Sequence, residues 1–250
     1  MTLATALLIL ALIVIGASAQ RVAGLGFALL VAPFMTLVLG AHSGVVIVNL
    51  CGVISSLLIL PRVWRLIDWS QFRWLGASAV LGSVLGSWIA VGASPAVLSV
   101  SVGAIVILAL ASSLLLSGRA FSRERLAPRV VTGVTAGLTN SLAGVGGPPV
   151  SAYALLTNWS PAAFAATLQP FFVLIGSMSA GTKLLMDPSV MPAVPAWAWL
   201  AVVAAILVGI AIGERLLKLV TPAQVRTVVI VIAFAGALAT LIRGLVELLG

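Results

Sequence analysis

Charge is scarce in this 250-residue chain: 7% of the residues are Asp, Glu, Lys or Arg, against 62% that are hydrophobic. Soluble domains carry about 25% charged residues, and a soluble fold of this size does not hide so much apolar surface. Cysteine and histidine are almost absent, with one of each, Cys51 and His42. A lone cysteine excludes an internal disulfide, and no Cys/His cluster exists to bind a metal. The acidic residues are Asp68, Glu124, Asp187, Glu214 and Glu247, all in loops or near the ends of apolar runs. The chain therefore lacks paired acids, a His-assisted nucleophile and a metal cluster, which argues against an intramembrane enzyme. No mid-membrane carboxylate stands out as a Na⁺ or H⁺ carrier, and no cofactor is expected.

What the chain does have is apolar runs along its whole length. A hydrocarbon core about 30 Å thick needs about 20 apolar residues per helix, so the length allows about 8 to 10 membrane segments. The expected class is an all-α integral membrane protein of the cell membrane, with the lipid bilayer as solvent. The net charge is +8, but the basic residues sit between apolar segments and form no single patch. That distribution argues for orientation by cytoplasmic Lys and Arg and against nucleic acid as a partner. Near the N-terminus, Ala17-Ser18-Ala19 before Gln20 resembles a signal-peptidase site. No Lys or Arg precedes the apolar run, and the segment has a partner in the second half, so it reads as a retained helix.

The two halves repeat. Gly24-Leu25-Gly26-Phe27 aligns with Gly144-Val145-Gly146-Gly147, and at the same offset Gln20 aligns with Asn140, Ala23 with Ala143 and Asn49 with Gln169. Gly82, Gly86 and Ala90 align with Ala205, Gly209 and Gly213, and Ser94-Pro95-Ala96 with Thr221-Pro222-Ala223. This divides the chain into a first transmembrane repeat (1–117), a basic cytoplasmic linker (118–129) and a second transmembrane repeat (130–250). Each repeat holds five apolar segments. In the first they run at 2–19, 22–40, 43–61, 72–92 and 95–117, and in the second at 130–144, 147–158, 160–182, 195–213 and 223–246.

Ten of the thirteen basic residues flank three loops: Arg62, Arg65 and Arg73; Arg119, Arg123, Arg125 and Arg129; and Arg215, Lys218 and Arg226. The positive-inside rule places these loops in the cytoplasm. The loop at 62–73 is then inside, while its counterpart at 183–194, with one Lys, one Asp and two Pro, is outside. The repeats are therefore expected to be inverted, with both termini on the outer side, which is the pattern of secondary transporters.

The first two segments of each repeat are expected to be broken or re-entrant short helices. Proline is tolerated in the first turn of a helix and not in its interior, so Pro148 and Pro149 should open a new half-helix after a glycine bend. Such a start presents backbone N–H groups and the positive end of a helix dipole, which favours an anion. The substrate-binding candidates are Gly24, Gly26, Asn49, Asn140, Ser141, Gly144, Gly146, Gly147, Ser151 and Gln169. Gln20, Arg21 and His42 are secondary candidates. Arg21 fits either an anion-binding cation or the cytoplasmic end of the first segment, and His42 either a proton relay or an interfacial capping residue. Cys51 reads as a packing residue. Gly82/Gly86/Ala90 and Gly209/Gly213 read as close helix contacts.

The set Gly133…Gly137…Gly144-Val145-Gly146-Gly147-Pro148-Pro149, followed by an apolar half-helix, resembles the sulfite exporter TauE/SafE family of membrane permeases. The basic central linker and the Gly-x-x-x-Gly pattern followed by Ser-Pro or Thr-Pro in each half resemble it too. The likeness covers nearly the whole chain, although family members often carry a richer first-half glycine cluster than Gly24-Leu25-Gly26-Phe27. It implies export of sulfite or organosulfonates such as sulfoacetate, with other sulfur or carboxylate anions moved by some relatives. An anion channel, or a carrier for small carboxylates, is the alternative with the same architecture. The sequence is compatible with a homo-oligomer.

Overall fold

Proline and short polar side chains mark where most of the helices start. Ser94 precedes Pro95, Ser160 precedes Pro161 and Asp68 precedes Trp69; in each case the side-chain oxygen accepts a backbone N–H of the first turn, from Val97, Ala163 and Gln71 respectively. These oxygens satisfy donors that a helix start would otherwise leave orphaned, while proline supplies a fixed φ where no N–H is needed. The computed structural model describes residues 3–23, 27–115, 122, 125–192, 194–220 and 222–250. They form ten α-helices: α1 (Leu3–Ala23), α2 (Phe27–Leu39), α3 (Ala41–Val63), α4 (Trp69–Gly92), α5 (Pro95–Leu115), α6 (Leu126–Ala143), α7 (Gly147–Leu156), α8 (Pro161–Met186), α9 (Ala196–Leu216) and α10 (Pro222–Leu249). No strand occurs among the described residues.

Seven helices are long and apolar enough to cross a membrane: α1, α3, α4, α5, α8, α9 and α10. Their outer faces carry leucines, isoleucines and tryptophans, such as Leu185 at 88% and Trp88 at 69% exposure, as a helix surrounded by lipid requires. Of the segments expected to be short, α1, with 21 residues, is instead long and apolar enough to span, and α6 has 18; the short elements are α2, with 13 residues, and α7, with 10. At 1.5 Å per residue these reach only about 20 and 15 Å, short of a full span. Most boundaries shift by a few residues from the sequence expectation: α2 begins at Phe27, five residues after the expected 22, and α6 at Leu126, four before the expected 130. Helix α1 continues through Gln20 and Arg21, and α8 runs four residues past the expected end at 182. Lys183 therefore lies inside a helix and not in the loop at 183–194.

Small residues decide which helices touch. A side chain at Gly82 would run into the backbone of Val134, and one at Gly137 into Ala79 and Ser83, so α4 and α6 lie backbone to backbone. Contact numbers rise together along both helices, which makes them parallel. Gly209 against Val14 and Gly213 against Ser18 set α9 parallel to α1 in the same way. By contrast, Gly103 meets Ala237 and Leu241 while Gly244 meets Ala96 and Val100, so α5 and α10 are antiparallel. Helices α3 and α8 are antiparallel as well: Gly176 meets Val53, and Asn49 reaches Ser179. In a bundle without a hydrophobic drive between helices, such close approach is what van der Waals packing rewards.

One end of the bundle carries Arg21, Arg62 and Glu214, with Arg21 Nε 3.4 Å and Arg62 Nη1 3.2 Å from the same carboxylate oxygen. All three side chains are at least 40% exposed, and exposed pairs contribute little. Glu214→Gln is expected to change unfolding free energy by less than about 1 kcal/mol, as denaturation of the detergent-solubilised protein would measure. The opposite end carries Arg243, which pairs with Glu247 and donates to the carbonyl of Leu37 at the far end of α2.

Candidate functional site

The glycine–proline break is built from local chemistry. Helix α6 closes at Gly144, whose φ of 73° is the left-handed conformation and whose N–H bonds to the Asn140 carbonyl at 2.7 Å. A side chain is strained in that conformation, so glycine is the fitting residue. Gly146 precedes α7, and Pro148 and Pro149 occupy its first turn. Gly146 also lets the bend pack tightly, since a Cβ there would lie 2.5 Å from Ile175 Cδ1 and 3.0 Å from the Ala136 carbonyl. The proline pair removes two of the N–H groups that the start of α7 would otherwise present. The N–H groups of Val145 and Gly146, both buried, have no protein acceptor among the described residues. Buried backbone donors are almost always paired with protein, water or ligand.

A cavity of about 50 Å³ lies against this bend. A water needs about 10–15 Å³ on the same measure, so the space suits a small anion and not a large organic molecule. It is lined by four sets of residues: the bend itself from Gly144 to Pro148; the first residues of α2, Phe27 to Leu29; Val48, Asn49, Gly52 and Ser56 of α3; and Phe172 and Gly176 of α8. The α3 residues share a face because they fall three to four apart. Gln20 and Asn140 complete the lining. Two half-helix starts thus meet at one cavity. Helix α2 runs away toward the Arg243 end, and α7 runs toward the start of α4, where Tyr153 donates to Gln71 at 3.1 Å.

The polar groups fall into two kinds. Asn49 and Asn140 hold each other: Asn140 Nδ2 donates to Asn49 Oδ1 at 2.6 Å and to the Ile175 carbonyl at 3.3 Å. Asn49 Nδ2 donates to the Val45 carbonyl at 3.0 Å and reaches Ser179 Oγ at 3.3 Å. This pair fixes α3, α6 and α8 around the cavity. Gln20 and Ser56 differ. Gln20 uses its Oε1 to accept from Ser55, and its NH₂ group has no protein acceptor among the described residues. The Ser56 hydroxyl is buried without a partner. Among the described residues, the donors at the cavity without an acceptor are therefore two backbone N–H groups, one amide NH₂ and one hydroxyl, a set that can bind an oxyanion without a full positive charge in contact.

Of the residues singled out from sequence, Gln20, Asn49, Asn140, Gly144, Gly146 and Gly147 line the cavity. Gly24 and Gly26 lie outside the described residues. Ser141, Ser151, Gln169, Arg21 and His42 are not in the lining. Ser141 donates to the Ser83 carbonyl at 2.8 Å, Ser151 to the Gly147 carbonyl at 2.9 Å and Gln169 to the Ala165 carbonyl at 3.1 Å, the last leaving a buried Oε1 unpartnered. Arg21 belongs to the exposed cluster with Glu214 and Arg62, and His42 stands half-buried in the first turn of α3.

Sequence reasoning overlooked Ser56, Gly52 and Lys183. The first two were legible in principle, since Gly52 lies three and Ser56 seven residues beyond Asn49 on one helical face. Lys183 is 1% exposed, and its ammonium donates to the Ser141 carbonyl at 2.5 Å. Its spacing of four from Ser179 and seven from Gly176 marks the same face of α8.

Comparison with curated proteins gives no match, and comparison with solved structures gives none. The family model described as sulfite exporter TauE/SafE matches residues 8–240, almost the whole chain. That is a family of membrane transporters and not of enzymes, in keeping with the spanning helices. The chain belongs to the sulfite exporter TauE/SafE family.

Proposed function

We propose that the protein exports sulfite or a small organosulfonate by alternating access around the cavity between the starts of α2 and α7. The observation that carries this reading is the pair of N–H groups at the buried Val145 and Gly146, which have no protein acceptor among the described residues, stand at the positive end of α7 and belong to residues lining a cavity sized for a small oxyanion. Backbone donors and a helix N-terminus together form an anion site. The helix directions support an inverted repeat. Helix α3 and its repeat equivalent α8 run antiparallel, as do α5 and α10, and α1 packs on α9 as α6 packs on α4. The two half-helices lead from the cavity to opposite ends, as inversion requires.

The basic clusters put the Arg21–Arg62–Glu214 end in the cytoplasm, so both termini lie outside. Export then follows the membrane potential. A field worth about 2.3 kcal/mol per charge per 100 mV drives a dianion outward by about 4.6 kcal/mol, more than a thousandfold in concentration.

Sulfite, sulfoacetate, sulfate and a simple carboxylate should be compared by thermal shift of the purified protein, because a ligand of the native state raises its stability by mass action. Sulfite or sulfoacetate is expected to give the largest shift, and proteoliposomes should show saturable flux with counterflow. Unitary currents without counterflow would mean a channel, and a shift by the carboxylate alone would move the substrate class. Asn49→Ala is expected to weaken anion binding at least tenfold, because it releases Asn140 and loosens three helices around the cavity. Gln169→Ala, outside the lining, should stay within about threefold of wild type.

A further inference from the structure

Lys183 is a cation buried in a membrane helix with no carboxylate partner among the described residues. Its hydrogen-bonding surroundings are neutral. The Ser141 carbonyl accepts from it, and around that carbonyl Ser87 bridges Ser141 Oγ and the Ser179 carbonyl while Ser141 donates to Ser83. A buried cation without a counter-charge is costly, and ionisable side chains in membrane spans are kept where they serve a function. Ser141 lies in the last turn of α6, so the ammonium caps the negative end of that helix. The positive end of α7 begins four residues after α6 ends, at the cavity. The break thus separates a cation on its α6 side from an anion cradle on its α7 side; Asn49 and Asn140 line the cavity, and Asn49 reaches Ser179, one turn of α8 before Lys183. The other titratable groups near Lys183 are His42 on α3 and Asp187 just past α8. Asp187 is half-buried and held ionised by the Ser189 hydroxyl and N–H, which keep its carboxyl below the usual range, and it forms no ion pair with Lys183 among the described residues.

We infer that Lys183 is the resident counter-charge of the transported anion: it sits behind the amide pair, touches no ligand directly, and attracts the anion into the cavity through the protein. The inference rests on the cavity being the anion site. Gly176 lines the cavity, and Lys183 stands seven residues, or about 10 Å, farther along α8. At that separation, with an effective dielectric of about 20, one unit charge on the ligand gains about tenfold in affinity and two gain about a hundredfold. The proposed role thus has a signature that a structural role lacks: loss on neutralisation should scale with ligand charge.

The test measures dissociation constants of methanesulfonate, a monoanion, and sulfoacetate, a dianion at neutral pH, for wild type and Lys183→Gln. Glutamine can still donate to the Ser141 carbonyl, and removal of an unpaired buried charge should not lower the melting temperature of the ligand-free protein. Lys183→Met replaces it if the glutamine variant does not fold. Binding of methanesulfonate should weaken about tenfold and of sulfoacetate about a hundredfold, while Lys183→Arg, which keeps the charge, stays closer to wild type for both. Equal losses for the two probes, or no loss, overturn the inference and leave the transport reading standing. If wild type binds neither sulfonate, the sulfur-anion reading fails, and acetate with malonate provides the same charge comparison. Failure of both pairs to bind overturns both proposals.

Discussion

Gly52→Leu is expected to abolish anion flux in proteoliposomes while the purified protein keeps its fold. Gly52 lines the cavity beside Asn49 and Ser56, and a Cβ added there meets nothing within 4 Å. The leucine side chain therefore enters open space, and the open space is the proposed ligand site. The substitution also replaces glycine in a helix interior, where it is about 0.8–1 kcal/mol less favourable than a good helix former. The melting temperature of the ligand-free variant should equal or exceed that of wild type, and the thermal shift caused by sulfite or sulfoacetate should vanish. Wild-type flux in a folded Gly52→Leu protein would place the site elsewhere. Gly146→Leu is a poorer test. Its side chain would strike Ile175, the Ala136 carbonyl and Asn140 before it reached a ligand, so loss of flux there would mix blocked binding with a disrupted bend.

Gly137→Val should prevent the protein from folding. A Cβ at Gly137 overlaps the Ala79 carbonyl and lies 2.7 Å from Ser83 N, both on the backbone of α4. Backbone cannot rotate out of the way as a side chain can, so α4 and α6 must separate. Overpacking usually costs about 1–3 kcal/mol, and more where no side chain can yield. Here separation would also break the Ser141 bond to Ser83 and the Ser87 bond to Ser141. Against a total stability of about 5–15 kcal/mol, we expect little monodisperse protein on size-exclusion chromatography. Gly181→Ala is the control, since nothing lies within 4 Å of a Cβ at that glycine, and it should purify as wild type does. Normal yield of Gly137→Val would mean that α4 and α6 are not packed backbone to backbone.

Much of this architecture was legible before any coordinates. Scarce charge and recurring apolar runs require a membrane fold. The Gly144–Pro149 break was legible because glycine and proline act through their own backbone: one takes the left-handed cap and the other opens a helix without needing an N–H. The glycines of α4 and α9 announced close contacts for a similarly local reason, their lack of a side chain. The site was read less completely. Aligning Asn49 with Gln169 pointed to a symmetric amide pair, yet Asn49 pairs with Asn140, and Gln169 bonds back to its own helix. A repeat alignment gives position along a helix but not the partner that packing places opposite.

Lys183 marks the same boundary. Its charge argued for a loop, since a cation prefers water, and only the extension of α8 to Met186 carries it into the interior. The sequence by itself determined the bilayer as solvent, the broken helices and the small-residue faces, because each follows from the preferences of a residue and its immediate neighbours. The tertiary structure alone decided which donors stay unpaired at the cavity and that a cation is buried behind them, because hydrogen-bond partners and burial arise from residues far apart in the chain: Asn49 with Asn140, and Ser141 with Lys183.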